Sequence, residues 1–156
     1  MDRVLRPVSS LELDALWALR TRAVRAGCAG HYPAAVIDAW VAAPVAPSLV
    51  RLAQAGGALV LEEEGVVLGF AALDAHSGEI DAVFVEPARQ GRGLALVLIN
   101  ALEDMARQAG LRRLYLSAAL NAVPFYRRAG YTALRDELYP HHSGIDIASV
   151  FMEKSL

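Results

Sequence analysis

Cysteine and lysine are almost absent from this chain of 156 residues, which has one of each, Cys28 and Lys154. A single cysteine excludes an intramolecular disulfide framework and a multi-cysteine zinc site. Neither sign of charge is in clear excess, because the chain has 15 basic and 17 acidic residues. A general nucleic-acid binder is therefore not expected. No apolar run approaches the ~18 residues that a membrane span needs, although 55% of the residues are hydrophobic. Acidic residues close to the start argue against a signal peptide. We therefore expect a single cytoplasmic domain over residues 1–156, with no metal and no membrane or nucleic-acid partner.

The first third of the chain predicts one strand followed by helices. Residues 2–8 alternate as in a strand, and Ser9 stands three residues before Glu12, which is the capping-box spacing of a helix start. Apolar residues then recur at helical spacing, with Arg20 on the same stripe, and Gly27 is the predicted helix end. Pro33 opens a second predicted helix, and a short third one is compatible with residues 48–54.

The remainder of the chain predicts strands and helices in mixed order. Residues 58–61 and 66–73 are apolar segments joined by a hairpin turn. The next strand, 79–85, alternates so that Ile80, Ala82 and Phe84 face one side and Glu79, Asp81, Val83 and Val85 the other. The later elements are a helix over 93–109, a strand over 111–117, a helix over 122–129, and strands over 131–138 and 145–152. This order predicts an α/β (α+β) fold with a largely antiparallel mixed sheet.

A glycine-rich turn follows strand 79–85 and opens the amphipathic helix. The first amides of a helix lack backbone partners and carry the positive end of the dipole, and glycines at 91 and 93 allow an anion to approach that backbone closely. The turn therefore predicts a phosphate site. A Walker loop would need a lysine and a hydroxyl residue where Leu94 and Ala95 stand, and a dinucleotide fingerprint would need a third glycine and a distant acidic residue.

Two motifs resemble those of one enzyme family. The run Gln90-Gly91-Arg92-Gly93-Leu94-Ala95 resembles the Q/R-x-x-G-x-G/A signature of the GNAT acyl-coenzyme A N-acyltransferases. About 35 residues later, the run from Asn121 to Tyr131 is similar to that family's second motif, a short helix ending in FY-x-x-x-G-F/Y. The resemblance implies a sheet of six to seven strands, flanked by about four helices, that splays open between two parallel central strands, 79–85 and 111–117.

The same resemblance implies the binding residues for acetyl-CoA as co-substrate. The backbone of Val83, Phe84 and Val85 would bind the pantetheine arm, and one amide near Val85 would polarise the thioester carbonyl. The pyrophosphate would lie on the loop and first helical turn, whose residues are Gln90, Gly91, Arg92, Gly93, Leu94, Ala95 and Leu96. Many members carry an asparagine where this chain has Ala119. Asn121 is therefore either a coenzyme contact or the N-cap of the following helix.

The implied reaction is transfer of an acetyl group to an amine of a small molecule or peptide by direct attack in a ternary complex. Tyr126 occupies the position of the family's usual general acid. Glu79 is our candidate base, acting through a water, with a solvated strand-edge acid as the alternative. A noncatalytic acyl-CoA binding or sensing domain is the alternative function, and homodimerisation is left open.

The expected acceptor site lies at the first two helices and the final strands. His31 and Tyr32, which precede Pro33 in a predicted loop, are the candidate substrate contacts. Trp17 and Trp40 occupy apolar helical positions, and core packing is the favoured interpretation of both. His141 and His142 fall in the loop before the last strand, beside the expected acceptor site.

Overall fold

Seven strands form one mixed sheet in the computed structural model, which describes residues 2–156. The strands are β1 (Arg3–Pro7), β2 (Ala58–Glu63), β3 (Val66–Asp74), β4 (Glu79–Val85), β5 (Arg113–Ala119), β6 (Thr132–Pro140) and β7 (Asp146–Ser155). Their spatial order is β1-β2-β3-β4-β5-β7-β6, so the last strand inserts between its two predecessors. Every neighbouring pair is antiparallel except β4 and β5. The predicted mixed, mostly antiparallel sheet is confirmed.

The parallel strands β4 and β5 part almost at once. Their only paired residues are Glu79 and Tyr115, joined through the Tyr115 amide, which donates to the Gly78 carbonyl at 3.0 Å. Beyond that point, the edges of the two strands diverge and leave backbone groups without a sheet partner. The predicted splay is therefore confirmed, and it positions the site described below.

Five α-helices cover the two faces of the sheet. They are α1 (Leu13–Cys28), α2 (Ala34–Ala42), α3 (Pro47–Gln54), α4 (Leu94–Gln108) and α5 (Val123–Arg128). On one face, α4 packs Leu98 and Leu102 against strand residues such as Leu68 and Leu114, and α5 joins the same core. On the other face, α1 and α3 pack against β2 and β3, and α2 packs against the start of β7.

The predicted signals at both ends of α1 lie close to its observed bounds. Ser9 and Glu12 form the predicted capping box, with the Ser9 amide donating to Glu12 Oε2 at 2.7 Å, and the box begins a 3-10 turn, Ser10–Glu12, that leads directly into α1. Gly27, predicted as the helix end, lies inside α1, which continues to Cys28. None of the described helices is by itself long and apolar enough to cross a membrane; α2 and α3, bent by 45°, reach such a length only as a pair.

The predicted face pattern of β4 is wrong because the strand contains a bulge. Pairing with β3 passes from Ala72 opposite Ala82 to Leu73 opposite Ile80, so Asp81 is left unpaired. The extra residue moves Ile80 to the α4 face, where it joins the same core as Val83 and Val85. Ala82 and Phe84 pack on the opposite face. Glu79 and Asp81 therefore do not share a face with Val83 and Val85.

Candidate active site

A cleft of about 580 Å³ opens where β4 and β5 diverge. Its floor is formed by β4, β5 and the start of β7, and α1 lies across it. The start of α4 and the helix α5 close one side, and the loop between β6 and β7 closes the other. The splayed strands thus bring the glycine-rich start of α4 and a polar pocket into one cleft.

The glycine-rich loop presents a row of free backbone amides. Gly91 and Gly93 have φ values of 82° and 72°, which side-chain-bearing residues rarely adopt, and a Cβ at either position would point into open space. The first backbone donor of α4 is Val97, whose amide bonds the Gly93 carbonyl at 3.2 Å. Within residues 2–156, no hydrogen bond accounts for the amides of residues 91–96. Such a row at a helix N-terminus binds phosphate oxygens.

The side chains of the predicted loop residues point in different directions. Gln90 and Ala95 line the cleft, whereas Leu94 is buried in the core and Leu96 is partly exposed. The guanidinium of Arg92 pairs with the buried carboxylate of Glu63 at 3.2 Å. That pair lowers the pKa of Glu63. The charge of Arg92 is thereby directed to β2, and its backbone amide remains part of the loop.

The open edge of β4 carries two residues with unused backbone groups. The Glu86 amide donates to Leu68 of β3 at 2.8 Å, and polar groups of successive strand residues point to alternate edges. Val83 and Val85 therefore direct their amides and carbonyls toward the splay, whereas Phe84 directs its backbone toward β3. An extended amide-containing ligand could pair with Val83 and Val85 as an additional strand would.

Tyr126 of α5 lines the cleft and is only 8% exposed. Its ring packs edge-on against Phe125 and Tyr131, with centroids 5.1 and 5.8 Å away. Burial raises the pKa of Tyr126 above its ordinary value, so the phenol is protonated at neutral pH. No residue of the described chain hydrogen-bonds its hydroxyl. Tyr126 is thus a protonated phenol, packed between two aromatic rings, among the residues that line the cleft.

A buried polar cluster holds the ring of Tyr131, which packs against Tyr126. The hydroxyl of Tyr131 donates to Glu103 at 2.8 Å, and Lys154 Nζ donates to both Glu103 oxygens at 3.0 and 3.1 Å. Lys154 also donates to the Ala129 carbonyl at 2.9 Å. The cluster joins α4, the end of β7 and the turn after α5, and it thereby fixes the position of α5.

Two carboxylates lie in the cleft near the start of the splay. Glu79 and Asp81 both line it, and Asp81 accepts a hydrogen bond from Ser48 Oγ at 3.2 Å. Burial and the charges of Asp81 and Asp74 raise the pKa of Glu79, and burial raises the pKa of Asp81. The pKa of Tyr139, beside them on β6, is raised by burial and by the same two carboxylates. A carboxylate with a raised pKa is a stronger base.

Asn121 lies in the cleft, in a short 3-10 helix before α5, and caps neither helix. The prediction that it is an N-cap is wrong. Its Oδ1 accepts a hydrogen bond from Cys28 Sγ at 3.4 Å, and its Nδ2 lies where a Cβ on Gly27 would come within 3.0 Å. Burial raises the pKa of Cys28 to about 11, so the thiol is uncharged at neutral pH.

The structure does not bring His31 and Tyr32 to the cleft. His31 is exposed, and Tyr32 is buried beside α2. The Tyr32 hydroxyl donates to the Ala148 carbonyl at 2.6 Å and accepts from the Leu120 amide at 3.0 Å. Tyr32 therefore fastens the α1–α2 loop to β7 and to the 3-10 turn that follows β5. The prediction that His31 and Tyr32 contact the acceptor is corrected, because neither side chain lines the cleft.

Other residues line the cleft near the predicted acceptor site. The half-buried rings of Trp17 and Trp40 pack against the core, as predicted, and they also line the cleft, which was not predicted. Arg20 and Ser149 line it as well, and the only signal of Arg20 in the sequence was a charged residue on an apolar helical stripe. Ser149 is an isolated strand serine without any sequence signal. Its buried Oγ has no hydrogen-bond partner in the described chain.

The histidine pair completes this side. His141 and His142 both line the cleft, as predicted for the loop before β7. His141 Nδ1 accepts from the Ser143 amide at 3.2 Å, and His142 Nε2 contacts the Pro44 carbonyl at 2.8 Å. Burial, with the nearby charges of His142 and Arg20, lowers the pKa of His141 to about 4. His141 is therefore neutral at physiological pH.

Known proteins share both the motifs and the architecture. The model of the acetyltransferase (GNAT) family matches residues 15–131. An IAA acetyltransferase of Azospirillum brasilense is 34% identical over 105 residues, which cover 63% of this chain and 67% of that protein. A GCN5-related N-acetyltransferase from Rhodopseudomonas palustris, described as "Aminotransferase, Class-II", superposes with a TM-score of 0.88 and 28% identity over 100% of this chain and 97% of the other. PaiA N-acetyltransferase from Thermoplasma acidophilum, solved with coenzyme A, superposes with a TM-score of 0.79 and 19% identity over the full length of both chains.

Proposed function

This chain belongs to the acetyltransferase (GNAT) family and is an acyltransferase, and on that premise we propose that it transfers an acetyl group from acetyl-CoA to a primary amine. The observation that carries the proposal is the row of free amides at residues 91–96, which lies beside the open edge of β4. These two features match the two halves of acetyl-CoA, a pyrophosphate and an extended arm that contains amides. Both open into the cleft that contains Tyr126 and Glu79.

Binding of acetyl-CoA is divided between the two features. The amides of residues 91–96 and the helix dipole of α4 neutralise the pyrophosphate. Val83 and Val85 pair with the pantetheine arm through their free backbone groups. Gln90, exposed at the start of the loop, contributes a side-chain hydrogen bond. The predicted backbone contact of Phe84 is corrected, because its backbone groups point toward β3 and are not available to the arm.

Glu79 removes a proton from the acceptor ammonium, through a water, and the neutral amine then attacks the thioester carbonyl. An amide on the open edge of β4, near Val85, donates to the carbonyl oxygen as it becomes negative. The carbon–sulfur bond breaks as the carbonyl reforms, Tyr126 gives its proton to the departing sulfur, and the nitrogen releases its second proton to solvent. The products are the N-acetylated acceptor and coenzyme A with a free thiol. Tyr126 regains a proton from solvent, and Glu79 releases to solvent the proton that it took.

The test measures free-thiol release from acetyl-CoA across a panel of amines, together with the thermal shift caused by coenzyme A. Turnover above the hydrolysis rate with at least one amine supports the proposal. Coenzyme binding without such turnover would instead favour a noncatalytic acyl-CoA binding domain. Absence of any shift at saturating coenzyme A would contradict coenzyme binding itself, since 100 times the dissociation constant stabilises by about 2.7 kcal/mol.

The role of Tyr126 is tested with a matched pair of variants. Tyr126→Phe removes only the hydroxyl, which has no partner in the described chain, so the fold and coenzyme affinity should be retained. Turnover should fall by about 10²- to 10⁴-fold, the usual contribution of a positioned acid. Tyr115→Phe is the control, because Tyr115 packs against Phe151 outside the cleft. Equal turnover of the two variants would remove Tyr126 from the mechanism.

A further inference from the structure

Arg20 is a buried cation in the wall of the cleft. Arg20 is only 1% exposed, yet it is one of the residues that line the cleft. Its Nη2 donates to the Trp40 carbonyl at 2.7 Å, and its Nη1 lies 3.4 Å from both the Val41 carbonyl and Thr21 Oγ1. Its guanidinium stacks 4.0 Å from the centroid of the Trp17 ring. These contacts orient the group and leave its charge without a counterion.

No carboxylate in residues 2–156 lies within ion-pair distance of Arg20. By contrast, the arginines that do form ion pairs in this protein have partly exposed side chains. A buried charge is costly unless an opposite charge accompanies it. Backbone carbonyls and an aromatic face offset part of that cost. A group of opposite charge that enters the cleft would offset the remainder, and a guanidinium is well shaped to bind a carboxylate.

The two histidines lie next to Arg20 in the same cleft. Arg20 stacks on Trp17, whose ring is 6.0 Å from that of His142, and the His142 ring is 4.3 Å from that of His141. Because His141 Nδ1 accepts from the Ser143 amide, the assigned neutral tautomer carries its proton on Nε2. The cleft therefore contains a cation from α1, a neutral imidazole donor from the β6–β7 loop and two carboxylates from a different element, β4.

We propose that the acceptor is an amine that also carries a carboxylate, which pairs with Arg20 while its amino group lies toward Glu79 and Asp81. The molecule is thus of the amino-acid type rather than a polyamine. This inference rests on the proposed transfer of acetyl to an amine, and it adds the chemical class of the acceptor. Arg20 binds the substrate and takes no part in proton transfer.

The experiment compares amino acids with their own carboxamides as acceptors in the thiol-release assay. Each pair differs in the carboxylate alone, and rates are corrected for the fraction of neutral amine. The wild-type enzyme should show a KM about 10- to 100-fold lower for the carboxylate form, the range expected for a hydrogen-bonded charge pair. Equal KM values, or a preference for the carboxamide or for polyamines, would overturn the inference and leave acetyl transfer intact.

Two variants assign the selectivity to Arg20. Arg20→Met keeps the unbranched stem and loses the charge, so the KM ratio between the two forms should fall towards 1. Arg20→Lys keeps the charge without the planar fork and should retain part of the ratio. Because Arg20 also fastens the last turn of α2, the coenzyme A thermal shift first verifies that each variant is folded. An unchanged ratio in folded Arg20→Met would overturn the inference. If neither variant folds, the wild-type ratio alone decides, and if no amine is acetylated the inference falls together with the proposed function.

Discussion

Replacing Lys154 with methionine should destabilise the protein more than the loss of an exposed charged side chain would. Lys154 Nζ donates to both oxygens of Glu103 and to the Ala129 carbonyl. Its removal leaves the Glu103 carboxylate, whose side chain is 5% exposed, with the Tyr131 hydroxyl and a distant Arg107 at 4.0 Å. Methionine keeps the length of the stem, so packing is largely preserved and the lost charge dominates.

Removing one partner of a buried ion pair costs about 3–5 kcal/mol. The Lys154 side chain is 24% exposed, so water can partly reach the pair and we expect the lower end, about 3 kcal/mol. For a chain of this length, each kcal/mol lowers the Tm by roughly 2–4 °C. The Tm of Lys154→Met should therefore fall by about 6–12 °C, which is a large part of a total stability of about 5–15 kcal/mol.

The assay is thermal and denaturant unfolding, with Arg107→Met as the matched control. Arg107 also faces Glu103, but its side chain is 51% exposed, and its loss should cost less than about 1 kcal/mol. Adding Glu103→Gln to Lys154→Met removes the unpaired charge and keeps an acceptor for Tyr131, so part of the stability should return. Equal losses for Lys154→Met and Arg107→Met, or no recovery in the double variant, would refute this account of the cluster.

Three further changes probe the cleft. Gly93→Glu should abolish coenzyme A binding, read as loss of the thermal shift, because φ is +72° there and a carboxylate would oppose the phosphate; retained affinity would contradict the site. Glu79→Gln should lower kcat/KM and remove the acid limb of its pH profile. That limb should lie above the ordinary carboxyl range, because burial and neighbouring carboxylates raise the pKa of Glu79 and activity is lost as pH falls through it; an unchanged profile would exclude Glu79 as the base. Ser149→Ala should leave the unliganded protein equally stable or up to about 1 kcal/mol more stable, because it deletes a buried hydroxyl without a partner. The same change should raise the KM for the acceptor, because the unpartnered hydroxyl belongs to a residue that lines the cleft, and an unchanged KM would refute a role for Ser149 in binding.

Local sequence patterns predicted the framework well. The strands, the capping box at Ser9 and the glycine-rich start of α4 depend on side-chain alternation, on short-range hydrogen bonds and on the φ preference of glycine. All of these act within a few residues and can be read without knowledge of the fold. The helices α1 and α4 were predicted to within a few residues for the same reason.

Residue roles that depend on distant neighbours were predicted less well. Tyr32 was expected in the acceptor pocket, but its hydroxyl is bound by Ala148 and Leu120, which are far away in the sequence. Trp17 and Trp40 were expected in the core, yet the splay leaves one side of each ring open to the cleft. Burial alone does not tell a core residue from one that lines a cavity, since both lie on apolar stripes.

The strands, the helices and the glycine-rich start of α4 follow from the sequence alone, because each depends on periodicity and local backbone preference. The side chains that surround that helix start are set by the tertiary fold. The unpaired Asp81 reverses the face of Ile80, and the insertion of β7 between β5 and β6 carries Ser149 into the cleft. Helix α1 adds Arg20 from the opposite side. These placements arise from strand register and long-range packing, which no short window of sequence contains.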